Sequence, residues 1–318
     1  MVYEWFDCLG RIIVIKPKRI TKGTVSKYVF IGSLLIYPAI LFAIFYVYVN
    51  FNSILLSFQE IDFAGNKSFN GLKNFASFFR EIGDEESIIR ISLLNSIKMW
   101  ATNLAICMPL YIIFSYYVFK KWTGTGIFRA LIMLPSIMSS FVVCLLFKKF
   151  VEQALPTAML ELFNVEKFPN LIREKEYQWG TTLFYMIWIS FATSVIVYSN
   201  AMKEIDNGIF EAAKIDGVNV AQEIFYIVIP LIMPTITTFV VTGVTGIFSS
   251  AGVLVAFYEY SAGSHLYIFG YLIIQRTMTK GEYYYPVLAA MGIVMTLVMT
   301  PITLGVKALL EKLDPTGD

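Results

Sequence analysis

Few side chains in this chain could perform covalent or acid–base chemistry. Its 318 residues include one histidine, His265, and three cysteines, Cys8, Cys107 and Cys144. A single histidine excludes a His-Glu-x-x-His zinc site, and the cysteines lack metal-ligand spacing. The phosphate-binding loop G-x-x-x-x-G-K-[ST] is absent from the sequence. We therefore expect no enzyme, and a chain that binds neither metal nor cofactor.

The composition is that of a membrane protein. Hydrophobic residues make up 57% and charged residues 15%, and the mean hydropathy is +0.66. Roughly 17–25 apolar residues cross a bilayer as a helix, and these runs lack the alternation of barrel strands, which predicts an all-α bundle. The six predicted spans are, approximately, residues 28–57, 91–119, 127–147, 181–200, 224–250 and 286–309.

Basic residues indicate which ends face the cytoplasm. Lys/Arg residues concentrate before the first span and in the short second loop, so both termini of a six-span chain are predicted to be cytoplasmic. The first apolar run is too long for a signal-peptide core, and we expect it to stay in place. The predicted domain, 28–310, lies between the tails 1–27 and 311–318. The basic residues used are Arg11, Lys16, Lys18, Arg19, Lys22 and Lys27, then Lys120, Lys121 and Arg129.

A charged, glycine-interrupted loop, 201–223, separates the fourth and fifth predicted spans. Asp206 or Asn207 can cap a short helix from Ile209 to Asp216, and Gly217 can supply the left-handed residue that ends it. A helix of two turns is unstable alone and needs a surface to lie against. The loop is therefore predicted to be cytoplasmic and to lie against another surface.

The same loop carries a longer pattern: Glu211-Ala212-Ala213, three residues, Gly217, nine residues, then 227–230, which read IVIP. This resembles the EAA motif of inner-membrane permease subunits of binding-protein-dependent ABC importers: EAA, three residues, Gly, nine residues, I-x-L-P. Ile229 in place of leucine is the sole mismatch in those positions.

The resemblance implies a six-helix type I importer permease in the inner membrane of a bacterium. In that family the loop is a coupling helix that docks in a cleft of a separate ATPase, where ATP and Mg²⁺ are bound. The partners implied are two ATPase subunits, a second permease subunit, an extracytoplasmic binding protein, a sugar and membrane lipid, with no nucleic acid. The positions that match the coupling region are Glu211, Ala212, Ala213, Asp216 and Gly217.

Looser similarities point to the carbohydrate branch, in particular its first-type permease subunit as in maltose and multiple-sugar importers. The segments at 69–79, 93–100 and 128–150 resemble its first outside loop, second-span start and third span. The resemblance covers roughly residues 28 to 312 and implies import of an oligosaccharide.

Polar residues in and beside the spans are candidates for the solute path. Asn95 and Asn103 recur at helical spacing with Ser92 and Thr102 on the second span, where they could face a wet cavity or hydrogen-bond to another helix. Lys98 on the same span is predicted to snorkel to the outer interface. Hydroxyl, carboxylate and aromatic groups after the fifth span suit sugar binding, and also an aromatic belt: Ser249, Ser250, Tyr258 and Glu259.

Two other functions remain open. A secondary transporter would carry intramembrane carboxylates and two related halves, and neither is evident in the sequence. The second alternative is a membrane scaffold without transport. Reconstitution distinguishes it from an importer, because a complex built on a scaffold would not move solute. The importer could also carry a non-sugar solute.

Overall fold

The computed structural model describes residues 5–6, 12–13, 22–165, 167–251 and 253–314, with side chains from residue 30 onward. Cys8, the basic side chains of the tail 1–27 and residues 315–318 of the second tail lie outside the described part. The chain divides into two compact units, 1–55 and 56–318.

Helices dominate the described residues, in agreement with the all-α prediction, and the four strands form two short antiparallel pairs. Short π-helical stretches at Phe42–Tyr48, Asn103–Cys107, Phe150–Ala154 and Ile224–Val228 join neighbouring α-helices. The strands are β1 (Trp5–Phe6), β2 (Ile12–Ile13), β3 (Gln59–Ile61) and β4 (Lys67–Phe69). The helices are α1 (Lys22–Leu41), α2 (Val49–Ser57), α3 (Lys73–Gly83), α4 (Ile88–Thr102), α5 (Met108–Phe119), α6 (Thr125–Ile137), α7 (Ser140–Lys149), α8 (Leu155–Phe163), α9 (Lys175–Lys203), α10 (Asn207–Ile215), α11 (Val220–Glu223), α12 (Ile229–Leu231), α13 (Met233–Gly246), α14 (Leu254–Tyr258), α15 (Phe269–Lys280) and α16 (Tyr285–Leu313), with 3₁₀ turns at Ser264–Leu266 and Glu282–Tyr284.

Four helices of the described chain are long and apolar enough to cross a bilayer, and two bent pairs raise the number to as many as six. The four are Phe30–Ser57, Ile88–Phe119, Lys175–Lys203 and Glu282–Leu313. They contain the predicted spans 28–57, 91–119, 181–200 and 286–309 almost entirely.

The other two predicted spans, 127–147 and 224–250, are broken. Helices Thr125–Ile137 and Ser140–Phe163 meet at 105°, and Val220–Leu231 and Met233–Gly246 meet at 71°. The first break falls where Met138 and Ser139 adopt extended backbone angles. The second falls at Ile232, which has φ −96° and ψ 11° and lies between Pro230 and Pro234. The sequence through both breaks is uncharged and mostly apolar.

Three clusters of buried side chains hold the unit 56–318 together. One joins α3, α4, α15 and α16 around Tyr271 and Met291. A second joins α5, α9 and the start of the predicted fifth span around Tyr198 and Val228. The third joins α7, α9 and α14 around Phe147 and Phe257, whose rings stack at 5.7 Å.

The segments 58–90 and 148–180, which lie between predicted spans, contain the short helices α3 and α8. In the first of these segments, β3 and β4 form a hairpin that pairs Glu60 with Ser68. Its turn is organised by Asp62, whose Oδ1 accepts hydrogen bonds from the backbone N–H groups of Ala64 and Asn66 at 2.9 and 2.8 Å. An Asx-type turn followed by Gly65 at φ +85° favours a hairpin over a helix.

Candidate functional site

The loop 201–223 contains the helix predicted there, observed as α10 (Asn207–Ile215). Asp206 caps it, because its Oδ1 accepts a hydrogen bond from Gly208 N at 3.0 Å. At the other end, Val218 N donates to Ala213 O at 3.0 Å and Gly217 N donates to Lys214 O at 3.3 Å, the two bonds of a Schellman motif. Gly217 has φ +75°, which confirms the predicted left-handed end.

The helix presents one face outward and one toward the bundle. Ala213 is buried at 6% exposure, and Phe210 packs beside the buried cluster that contains Tyr198 and Val228. Glu211, Ala212, Asp216 and Gly217 are exposed, and Ile215 next to them is 86% exposed. Four of the five predicted docking residues thus lie on the accessible side, and Ala213 faces the protein.

A groove of about 310 Å³ runs along the inner edge of α10. Its lining mixes two cations and two carboxylates with an aromatic ring, which gives it no strong net charge. The lining residues are Lys120, Asn207, Phe210, Glu211, Lys214, Val218 and Glu223.

A short connection links α10 to the predicted fifth span. Asn219 Oδ1 accepts from Gln222 N at 2.9 Å, while Gln222 Oε1 accepts from Asn219 N at 3.0 Å. This reciprocal capping box fixes the start of α11. Only Val218 lies between Gly217 and the capping residue Asn219, so the connection from α10 to the helix 220–231 is short.

Residues 174–316, which include α10 and its connections, match the family described as "Binding-protein-dependent transport system inner membrane component". The segment 174–316 belongs to this family, and the curated relatives with which a longer part of the chain aligns are permeases. Among curated proteins, the permease is 29% identical over 247 residues to the polygalacturonan/rhamnogalacturonan transport system permease protein YteP of Bacillus subtilis, covering 72% of each chain. It is 25% identical over 274 residues to the arabinooligosaccharides transport system permease protein AraP of Bacillus subtilis, covering 83% of this chain and 82% of the relative.

The fold of the permease also has a solved counterpart. A chain in the crystal structure of a bacterial alginate ABC transporter, in complex with alginate pentasaccharide-bound periplasmic protein, superposes with a TM-score of 0.75. The superposition covers 95% of this chain and 100% of that chain at 18% sequence identity. The likeness shows that the two chains share a fold.

A cavity of about 440 Å³ lies among α4, α7, α9 and α14 of the permease. Its walls are largely apolar and include Phe141, Tyr185 and Met186. Asn103, one of the predicted solute-path residues, lines it, as do Thr102, Ser140 and Ser190. Sequence analysis did not single out Ser140 or Ser190, although both are hydroxyls inside predicted spans and could have been found by that signal.

Asn95, the second predicted residue of the same stripe, has a different environment. It is buried, and its Nδ2 donates to the carbonyls of His265 at 2.8 Å and Tyr267 at 3.0 Å. The next residue, Ser96, accepts a hydrogen bond from Phe269 N at 2.9 Å. These contacts favour the hydrogen-bonding alternative for Asn95, since both of its amide hydrogens hold the segment 265–269.

The predicted residues after the fifth span lie in two places. Ser249 and Ser250 occupy the exposed turn at the end of α13, where Ser249 Oγ donates to Thr245 O at 3.3 Å. Tyr258 donates to Ile172 O at 2.9 Å, and burial raises its pKa to about 12, so the phenol keeps its proton.

Glu259 follows at φ +52°, a backbone region that is uncommon for a residue with a side chain. Tyr258 and Glu259 share a polar pocket of about 390 Å³ with Lys148, Glu152 and Arg173. The structure therefore does not gather the predicted path residues in one cavity.

Proposed function

We propose that this permease is the transmembrane subunit of an ATP-driven importer and that α10 couples it to a separate ATPase. The observation that carries the proposal is the geometry of α10: a helix anchored through Phe210 and Ala213 that leaves Glu211 and Ile215 exposed. A short helix docks in a groove through a few such side chains. Glu211 can also accept charge-assisted hydrogen bonds from a basic residue of the partner.

The proposed membrane topology has six spans, with each bent pair counted as one. Both termini and the loop 201–223 are then cytoplasmic, and the tails 1–27 and 311–318 flank the permease domain 28–310 in a bacterial inner membrane. The mid-span bends are compatible with this count, because non-helical backbone at membrane depth is tolerated where protein or a water-filled cavity surrounds it.

The proposed solute is a carbohydrate, most simply an oligosaccharide delivered by an extracytoplasmic binding protein. Two curated relatives are named for transport of polygalacturonan or rhamnogalacturonan and of arabinooligosaccharides. The cavity beside Asn103 combines aromatic rings with hydroxyl and amide groups, and sugars offer apolar faces and hydroxyls to such walls. This chain would form half of the pathway, with a second permease as the other half.

The energy source in this proposal is ATP, held with Mg²⁺ by two partner ATPase subunits. The permease itself contributes the docking helix and the path, and no catalytic group. Its part in catalysis is positional, because closing the ATPase cleft depends on where α10 lies.

Purification of the tagged permease from its own cells in mild detergent tests the proposal. We expect an ATPase to co-purify, and reconstituted vesicles to take up one member of a panel of maltodextrins, arabino-oligosaccharides, oligogalacturonides and alginate oligosaccharides when the binding protein is supplied. Glu211→Ala should reduce the amount of bound ATPase, while Glu204→Ala, in the same loop but outside α10, should not. Equal ATPase recovery in both variants would reject docking through Glu211, and the absence of any ATPase from the wild-type particle would reject the importer.

A further inference from the structure

The ammonium group of Lys120 lies at the meeting point of three elements. Lys120 follows α5 directly, and its Nζ lies 5.4 Å from the ring centroid of Tyr116 and 5.6 Å from that of Phe119, both on α5. The nearest ring belongs to Phe210 of α10, at 4.6 Å. Phe119 and Phe210 also contact each other, with centroids 5.2 Å apart.

The same ammonium forms an ion pair with Glu223, the last residue of α11. The side chains of Lys120 and Glu223 are 25% and 13% exposed, which makes this the least exposed of the five ion pairs in the described residues. Exposed pairs contribute little to stability, but removal of one partner of a largely buried pair leaves the other charge uncompensated. Lys120 therefore ties α5 to α10 by cation–π contacts and to α11 by charge.

Among the charged side chains near Glu223, Lys120 is the cation that pairs with it. The groove beside α10 also holds Glu211 and Lys214, but both are exposed on α10, and the ion pair of Glu223 in the described residues is with Lys120. Lys121, the next residue, is exposed at φ +53° and lies outside this cluster. It offers a matched control for the charge of the loop.

We propose that Lys120 is the positioning residue that holds the coupling helix α10 to the end of α5 and to the helix 220–231, so that the three elements move together. The proposal rests on the proposed function, in which α10 receives the motion of the ATPase. Without the ammonium, α10 would still be helical and still be linked through Gly217, but its position relative to the fifth span would be loose. Motion of the ATPase would then not be transmitted to the solute path.

The first test measures hydrogen–deuterium exchange of the full chain in lipid nanodiscs. Lys120→Met keeps the apolar stem and removes the charge, and we expect exchange of the amides in 211–218 to rise by roughly tenfold, which corresponds to a lost interaction of ordinary strength. Lys120→Arg keeps the cation and should preserve protection, Glu223→Gln should give an intermediate value, and Lys121→Met should match the wild type. Wild-type protection in Lys120→Met would overturn the proposal, because packing of the stem alone would then suffice.

The second test measures coupling in the purified complex. The substrate is the oligosaccharide of the panel above that the wild-type complex takes up. We expect Lys120→Met to retain bound ATPase and ATP hydrolysis but to move several-fold fewer sugar molecules per ATP. Lys120→Arg should restore the number of sugar molecules moved per ATP. An unchanged ratio in Lys120→Met would reject the role of Lys120 while leaving the importer intact. A wild-type complex that takes up no sugar would count against the proposed solute, and the exchange experiment would still decide the role of Lys120.

Discussion

Two glycines illustrate how single residues control this permease in different ways. Gly217 needs a positive φ, and a Cβ added there would meet no atom within 4 Å. Gly270, at the start of α15, has ordinary backbone angles, but an added Cβ would overlap the backbone carbonyl of Ser250 and lie 2.9 Å from the carbonyl carbon of Ser249. The first glycine is required by conformation and the second by contact, so substitutions at the two sites should fail differently.

At Gly217, the conformational requirement predicts a graded loss of coupling. Valine at φ +75° is strained by about 1 kcal/mol or more, whereas asparagine tolerates the left-handed region. We expect Gly217→Val to insert and to hydrolyse ATP with reduced solute uptake per ATP, and Gly217→Asn to remain near the wild type. Solute uptake and ATP hydrolysis are measured in the same vesicles. Uptake per ATP equal to that of the wild type in both variants would show that coupling does not depend on the left-handed turn.

At Gly270, the contact predicts a loss of stability. Gly270→Ala pushes α15 away from the turn at 249–250, and overpacking of this kind costs about 1–3 kcal/mol. We expect a lower melting temperature in detergent and a lower yield of inserted protein. Gly292→Ala in α16 is the matched control, because its Cβ would meet nothing within 4 Å. A melting temperature for Gly270→Ala as high as that of the control would contradict the close approach.

At the scale of elements, hydropathy was sufficient for the four long helices, and capping residues were sufficient for α10. The position of α10 was predicted correctly because its cap at Asp206 and its end at Gly217 are local signals in the sequence. The bends near Ser139 and Ile232 could not be predicted from mean hydropathy, since each bent pair is apolar enough as a whole to pass for one span.

The contacts that define the environments of the candidate residues are equally non-local. Asn95 is 170 residues from His265, to which it donates a hydrogen bond. The pairing of Lys120 with Glu223 likewise joins distant elements. Neither contact leaves a spacing pattern in the sequence, so sequence reasoning found the polar residues on the second span but not their separate environments.

The two asparagines of the second span should therefore behave differently. Asn95→Ala leaves two backbone carbonyls without their donor, a loss of about 1–3 kcal/mol, and should lower the melting temperature. Asn103→Ala borders the bundle cavity and should leave the melting temperature unchanged while raising the KM for uptake. The pair is measured by thermal unfolding in detergent and by uptake kinetics in vesicles. A raised KM without loss of stability in Asn95→Ala would return Asn95 to the solute path.

At the scale of the whole molecule, the described helices leave much apolar surface uncovered within the unit 56–318. In the most apolar windows of three long helices, no more than 33% of the residues are buried. Ile127 and Ile137 of α6 are 72% and 75% exposed, and Leu297 of α16 is 69% exposed. Lipid can cover such side chains as well as another helix can, so exposure alone does not distinguish a lipid-facing surface from a subunit interface.

The number of docking helices gives a sharper argument for a second subunit. The permease presents one α10, and in the proposed importer two ATPases would each need such a helix, so we expect a second permease to supply the other. We expect native mass spectrometry of the mild-detergent particle to give one copy of this 36.1 kDa chain, one different permease and two ATPases. The Glu211→Ala variant provides an internal check, because a single weakened α10 in a heterodimer should leave the second docking site intact and one ATPase bound. A stable, ATPase-competent particle in which this chain is the sole membrane subunit would reject the heterodimer and require each ATPase to dock on an identical α10.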